Sequence, residues 1–154
     1  MTLVLDLRHV AAMRRHAEAD YPHEACGLIG GHGDGSAGAE RKIAVQLVPL
    51  SNARRDTPRT RSLIAPEAFR RAEARLARDG LEVVGVYHSH PDHPPVPSAF
   101  DREHAWPWLS YVIVGVARGG AQDTRSWTLA DDRRAFSEEP LIIEDRKVAW
   151  QSQS

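Results

Sequence analysis

Three observations predict an α/β fold in which two or three helices flank a mixed sheet. Two runs rich in β-branched residues, 82–87 (EVVGVY) and 109–116 (LSYVIVGV), have the make-up of buried strands. A stretch near residues 8–19 spaces its apolar side chains helically, and Pro66 and Gly80 bracket a second helix. Strands and helices then alternate without the regular rhythm of repeated βαβ units, which argues against a doubly wound parallel sheet.

In chain order, residues 2–6 (TLVLD) alternate as a strand does. Val10, Met13 and Ala17 recur at helical spacing between Arg8 and Ala19, and Tyr21-Pro22 ends that helix. Glu24 to Gly31 is a short apolar run suited to a buried strand, residues 32–38 (HGDGSAG) carry turn chemistry, and 41–50 (RKIAVQLVPL) return as a strand, making a hairpin. The glycines of 27–38 lack the Gly-Lys-Ser/Thr ending of a phosphate loop, so they read as hairpin residues. Residues 52–62 (NARRDTPRTRS) form an exposed basic loop. Pro66 opens a helix that runs to about Asp79 and stops at Gly80. After strand 82–87 comes a proline-rich turn, a short helical stretch from Ser98, the strand at 109–116, and further strands at 124–130 and 133–143.

Composition narrows the classes of function. The 154 residues suit one domain with one substantial core, running nearly end to end. Apolar residues make up 42% and charged residues 27%, an ordinary globular balance. A net charge of −1 gives no reason to expect nucleic acid or an anionic membrane as partner. The lone cysteine, Cys26, excludes an internal disulfide framework, and charged residues interrupt every apolar run of the first 20 residues. A cytoplasmic protein without membrane spans is the expectation.

Chemistry concentrates in Tyr87-His88-Ser89-His90-Pro91 and the residues that follow to Asp101. Side chains two apart on an extended chain point the same way, so His88 and His90 can converge on one point. Ser98 has the chemistry to cap a helix, and Asp101 on its first turn can face back toward the histidines. Two neutral imidazoles and one carboxylate leave a tetrahedral zinc with an open fourth position, the arrangement of a catalytic site. Hydrolysis of an amide also needs a base to take the water's proton and hand it to the leaving amine. Glu24, at the start of an apolar segment where a carboxylate has no packing reason to sit, is the candidate; desolvation there would raise its pKa toward the useful range. Ser98 could donate a hydrogen bond to the oxyanion of the tetrahedral intermediate.

Glu, then His-Ser-His, seven residues, Ser, two residues and Asp resembles the JAMM (MPN+) metallopeptidase motif at every defining position. The likeness extends to EACGLIGG around Glu24, Pro49-Leu50-Ser51-Asn52, Pro66-Glu67 and WPWLSYVIV, and so covers roughly residues 3–145. The resemblance implies a cytidine-deaminase-like mixed, curved sheet flanked by helices. It also implies one zinc ion per chain on His88, His90 and Asp101, Glu24 as general base and acid, and Ser98 as stabiliser of the intermediate. The chain looks most like the small stand-alone bacterial members, similar to CysO-cysteine peptidases, which act on ubiquitin-like sulfur-carrier proteins ending in Gly-Gly. Such a tail can lie extended along a sheet edge with little demand on side chains.

The neighbouring residues have blander roles. Asp92 and His93 are expected at the rim rather than as ligands, Cys26 as a small buried thiol rather than a nucleophile, and Trp106 and Trp108 as packing or groove-wall residues. The arginines of 54–61 are expected in a solvated loop, with docking of an acidic partner as the alternative. Two other classes of function compete: a non-catalytic interaction module, disfavoured by the complete ligand set, and a mononuclear iron oxygenase, since two histidines and a carboxylate also make a facial triad. Metal analysis separates the second from a zinc hydrolase. The carrier's identity, the choice of peptide or isopeptide bond, and the oligomeric state have no signature in the residues.

Overall fold

The computed structural model describes residues 1–34, 41–51 and 64–146, and the statements below concern those residues. Residues 35–38 of the turn expected at 32–38, and the basic loop expected at 52–62, lie outside them. The chain runs β1 (Thr2–Asp6), α1 (Leu7–Asp20), β2 (Cys26–Asp34), β3 (Arg41–Leu50), α2 (Pro66–Arg78), β4 (Glu82–Pro91), α3 (Ala99–His104), β5 (Ser110–Ala117), β6 (Gly120–Leu129), β7 (Phe136–Glu139) and β8 (Leu141–Glu144). All strands join one mixed sheet in the order β7-β6-β5-β4-β2-β3-β1-β8. β4 pairs with β5, and β1 with both β3 and β8, in parallel; the other pairs are antiparallel. β7 and β8 are the two ends of that order, yet only Pro140 separates them, so the sheet must curl almost onto itself. Leu3 N–H donates to the Pro140 carbonyl at 3.1 Å, which extends the β1–β8 pairing to the residue that joins β7 to β8.

Two apolar cores lie on opposite faces of this sheet. Met13 and Ala17 of α1 pack with Leu3, Leu5, Ile29, Tyr87 and Val112. Ala72 and Leu76 of α2 pack with Leu28, Val83, Leu109 and Tyr111. The glycines of β2 make both contacts close. A methyl group at Gly27 would overlap the Tyr87 ring, and one at Gly30 would overlap the Leu76 side chain. Tyr87 in turn bonds His16 Nδ1 of α1 through its hydroxyl at 2.8 Å. Helix ends follow local chemistry. Asp6 caps α1 in a reciprocal capping box with His9, and Pro66 sits in the first turn of α2.

The structure moves several expected boundaries. β4 does not stop before the histidines but carries both of them, through Pro91, because it stays bonded to β5 along that length. β2 extends through residues 32–34, which read as turn, because β3 pairs with them to Asp34. It begins at Cys26, so Glu24 precedes the strand rather than opening it. The 133–143 stretch divides into β7 and β8 around Pro140, whose missing N–H cannot continue a ladder.

Candidate metal centre

β4 aims His88 and His90 from one strand face into the space beneath α3. Their Nε2 atoms lie 3.1 Å apart. Both are buried, at 4% and 2% exposure. The turn after Pro91 is held from two sides: His90 Nδ1 bonds the Pro94 carbonyl at 2.8 Å, and Trp127 Nε1–H donates to the Pro95 carbonyl at 3.0 Å. A carbonyl only accepts, so His90 carries its proton on Nδ1, which leaves the Nε2 lone pair facing His88 and Asp101.

Asp101 is set by the start of α3. Ser98 caps the helix, its Oγ accepting from Asp101 N–H at 3.1 Å, while Ser98 N–H donates to Asp101 Oδ2 at 2.8 Å. This capping box turns the carboxylate back toward the strand, with Oδ1 3.3 Å from His88 Nε2 and Oδ2 3.4 Å from His90 Nε2. Among the described residues, His88, His90 and Asp101 form a group whose donor atoms all lie within 4.8 Å of one another. An ion with tetrahedral bonds of about 2.0–2.1 Å, the lengths zinc makes to imidazole and carboxylate, separates its donors by about 3.3 Å. The 3.1 Å between the two imidazole nitrogens is close to that edge length, each nitrogen has one oxygen of the Asp101 carboxylate at 3.3 or 3.4 Å, and the donor set could hold a metal with a position left open.

Charge and burial agree with this geometry. Burial alone would push the His88 pKa down, but the Asp101 carboxylate, through charge and a hydrogen bond, and then Glu24 hold it above its ordinary value. Burial would raise Asp101, yet the two histidines and the Ser98 N–H keep it well below the usual carboxylate range. Glu24 is 2% exposed, and its charge acts on both His88 and Cys26. Ala25, the next residue, is bonded twice to Ser89: Ala25 N–H donates to Ser89 Oγ at 2.8 Å, and Ser89 N–H to the Ala25 carbonyl at 3.0 Å. The serine between the two histidines therefore docks the Glu24 segment onto the histidine-bearing strand.

All five residues singled out in the sequence meet in this region, and the bland candidates fall away from the centre. Asp92 binds the turn together, accepting from Tyr21 O–H at 2.7 Å and from Arg118 N–H at 2.9 Å. His93 is exposed and stacks on His90 at 4.4 Å between ring centres. The Cys26 thiol lies opposite His88 across the β2–β4 pair, and burial, then the charges of Asp20 and Glu24, push it up to about 12, far from a thiolate nucleophile. Sequence reasoning missed Ser89 and the Pro94 carbonyl. Ser89 had one signal, a hydroxyl between two buried histidines and pointing to the other strand face; the carbonyl had none.

A cleft opens beside His88 and Asp101, walled by Cys26, Val86, Phe69, Trp106 and Tyr111. Its lining is mainly apolar. No helix of the described residues is long and apolar enough to cross a membrane.

Comparison with known proteins places this geometry in a group. The family profile for prokaryotic homologues of the JAB domain matches residues 6–130. A desampylase of Haloferax volcanii is 32% identical over 139 residues, covering 89% of this chain and 94% of the relative. A CysO-cysteine peptidase of Mycobacterium tuberculosis is 34% identical over 142 residues, covering 92% of this chain and 90% of the relative. Among solved structures, a Desulfitobacterium hafniense protein superposes with a TM-score of 0.79 at 28% identity over 94% of both chains. A JAB1/MPN domain protein of Archaeoglobus fulgidus, at 15% identity and a TM-score of 0.55 over 94% of this chain and 98% of its own, shares the fold.

Proposed function

The chain belongs to the family of prokaryotic homologues of the JAB domain, and we propose that it is a zinc-dependent hydrolase cleaving the bond at the C-terminal tail of a ubiquitin-like sulfur-carrier protein. The whole chain, with its core at about residues 3–145, acts as one such domain in the cytoplasm. The observation that carries the proposal is the convergence of His88, His90 and Asp101, whose donor atoms lie within 4.8 Å of one another, together with a buried Glu24 whose charge acts on His88. The relatives support the substrate class, being named a desampylase and a CysO-cysteine peptidase.

His88, His90 and Asp101 would hold the ion. Zinc bound there supplies Lewis-acid activation of a water for attack on the carbonyl. Glu24 takes a proton from the attacking water and returns it to the leaving amine, so the C–N bond breaks with the amine leaving neutral. Ser98 Oγ accepts from Asp101 N–H, and its own proton is left to donate to the carbonyl oxygen as charge develops there. The apolar cleft strengthens these interactions by keeping the local dielectric low. A metal-less interaction module would not need a buried carboxylate next to three converging donors. An iron oxygenase has no use for Glu24 as a proton carrier.

The test is Glu24→Gln, read by metal content and by mass spectrometry of a carrier bearing a C-terminal cysteine. The variant is expected to keep one zinc per chain and to lose cleavage by at least about 10²-fold, the general-base contribution. Undiminished cleavage would remove Glu24 from this role; iron with oxygen-dependent turnover would replace the hydrolase reading altogether.

A further inference from the structure

Two clefts follow one another along the β4–β5 pair, on either side of the three donors. The cleft beside His88 reaches Val86 and Tyr111, which face each other across that pair. Further along the same strands, past His90 and its partner Gly115, a second cleft is lined by Asp92, His93, Pro94, Val116, Arg118 and Gln122. Its near wall touches the histidine itself. The His93 ring stacks on His90 with 4.4 Å between centres, and the Pro94 carbonyl accepts from His90 Nδ1–H at 2.8 Å. An extended chain laid across the donors thus has one cleft before it and one after it.

The cation of the second cleft is Arg118. With Gly119 it forms the two-residue turn between β5 and β6, at φ 52° and 82°. A turn with both central residues left-handed is ordinarily filled by Asn, Asp or Gly. Arginine there carries a backbone cost that a role for its side chain would explain. Asp92, itself left-handed at φ 59°, secures the turn: its Oδ1 accepts the Arg118 N–H at 2.9 Å, and its own N–H donates to the Val116 carbonyl. The other charged groups around the turn are engaged. Asp92 Oδ2 accepts from Tyr21 O–H at 2.7 Å, Glu18 Oε2 accepts from Ala121 N–H at 3.1 Å, and Arg14 donates to the Ala121 carbonyl at 2.9 Å. Arg118 is exposed, and its guanidinium makes no ion pair among the described residues.

Resting on the hydrolase reading, the geometry points to this second cleft as the leaving-group subsite, where Arg118 pairs with the free α-carboxylate of a single released amino acid. Charge sets the direction of the substrate. No lysine or arginine lines the inner cleft among the described residues, and the carrier's tail bears no carboxylate at the bond to be cut. A residue joined to that tail through its α-amine does bear one, on the far side of the bond. A guanidinium fork suits it, since it can donate two parallel hydrogen bonds to one carboxylate. Pro94, Val116 and Ala117 offer small apolar neighbours to a small side chain such as that of cysteine or alanine. The subsite also decides the kind of bond. A lysine within a protein target has its own carboxyl tied up in a peptide bond, so Arg118 favours an α-linked terminal residue over an isopeptide.

Two substrates test this: the mycobacterial CysO protein extended by one cysteine, and the same adduct ending in cysteinamide, which lacks the charge. The zinc-loaded protein is expected to favour the free acid at least about tenfold in kcat/KM, chiefly through KM. Arg118→Gly removes the guanidinium while easing the left-handed backbone, so it should melt close to the parent. It is expected to bring the preference to about twofold or less, and Arg118→Lys to retain part of it. A preference of about twofold or less in the unaltered protein, or one that survives Arg118→Gly, would overturn the subsite and leave the hydrolase reading intact. If the zinc-loaded protein cleaves neither adduct, the hydrolase reading fails. Titration of alanine followed by NMR then decides the cleft: binding at least about threefold weaker in Arg118→Gly supports the carboxylate site, and equal or absent binding overturns it.

Discussion

Ser89 and Ala25 are joined by two hydrogen bonds, one to the serine hydroxyl at 2.8 Å and one from its backbone N–H at 3.0 Å. Through them, the strand that carries the histidines also anchors the segment that carries Glu24. The prospective base and two of the three ligands are therefore placed by a single local contact rather than by two independent ones.

Ser89→Ala removes the acceptor for the Ala25 N–H and leaves that group without its partner in a buried setting. A stability loss of about 1–3 kcal/mol is expected from denaturant melts. Zinc content should stay near one per chain, because neither imidazole is touched, while cleavage drops about tenfold or more as Glu24 loses its register. Full activity together with the stability loss would show that Glu24 is held by other contacts.

Asp101→Ala deletes a proposed ligand and half of the α3 capping box together, so it is expected to abolish both zinc binding and cleavage. Asp101→Asn is the sharper probe. Its amide retains an oxygen that can accept from Ser98 N–H, but carries no charge to offset the ion, so zinc affinity is expected to fall with little change in folding stability. Chelation of the unaltered protein should reproduce the loss of cleavage, and added zinc should reverse it. A metal-free variant with normal turnover, read by elemental analysis, would contradict the ligand assignment.

Ser98 can be separated into its two roles. At an N-cap, Ala costs about 1 kcal/mol, whereas Gly costs only a few tenths. Neither has a hydroxyl. Both variants are therefore expected to lose about 10²–10³-fold in kcat, the usual cost of one oxyanion donor, whereas Ser98→Gly remains close to the parent in thermal stability. If Ser98→Gly kept both stability and rate, the serine would be a cap alone.

The N-cap of α1, away from the metal centre, contributes its own pH dependence to stability. His9 is buried, accepts from Asp6 N–H at 3.3 Å through Nδ1, and bonds the Val45 carbonyl at 3.2 Å through Nε2. Burial holds its pKa below the ordinary value of 6.5, against the pull of the Asp6 charge. The unfolded chain therefore binds this proton more readily than the folded one, and stability is lost as pH falls below about 6.5. Asp6 is also held low: burial opposes, but hydrogen bonds and charge from Arg8 and a bond from Arg146 prevail, so its contribution persists until pH falls below the usual 3.8. Urea melts between pH 8 and 5 should show the first loss, and His9→Gln should flatten it.

Much of this was legible in the residues because periodicities of 2 and 3.6 and local end signals are properties of the chain itself. They suffice for the α/β class, for α1 and α2, and for the strands that became β3, β4 and β5. The His88, His90 and Asp101 set was legible for the same reason: i, i+2 on a strand and a carboxylate in the first turn of a capped helix are both short-range arrangements. Residues 133–143 were harder, since period-2 patterning says nothing about partners, and only closure of the curled sheet sends β7 and β8 to opposite edges. Glu24 lies 64 positions before His88 in the chain. Its burial beside that ring depends on β2 pairing with β4 and on the Ser89–Ala25 contact. Likewise, Trp106 and Trp108 read as groove wall or packing until α2 was seen to pack alongside and leave their indoles open. Local chemistry thus specified the donors and their types. Long-range strand pairing, whose register no nearby residue encodes, decided that Glu24 is buried near them and which cleft opens beside them.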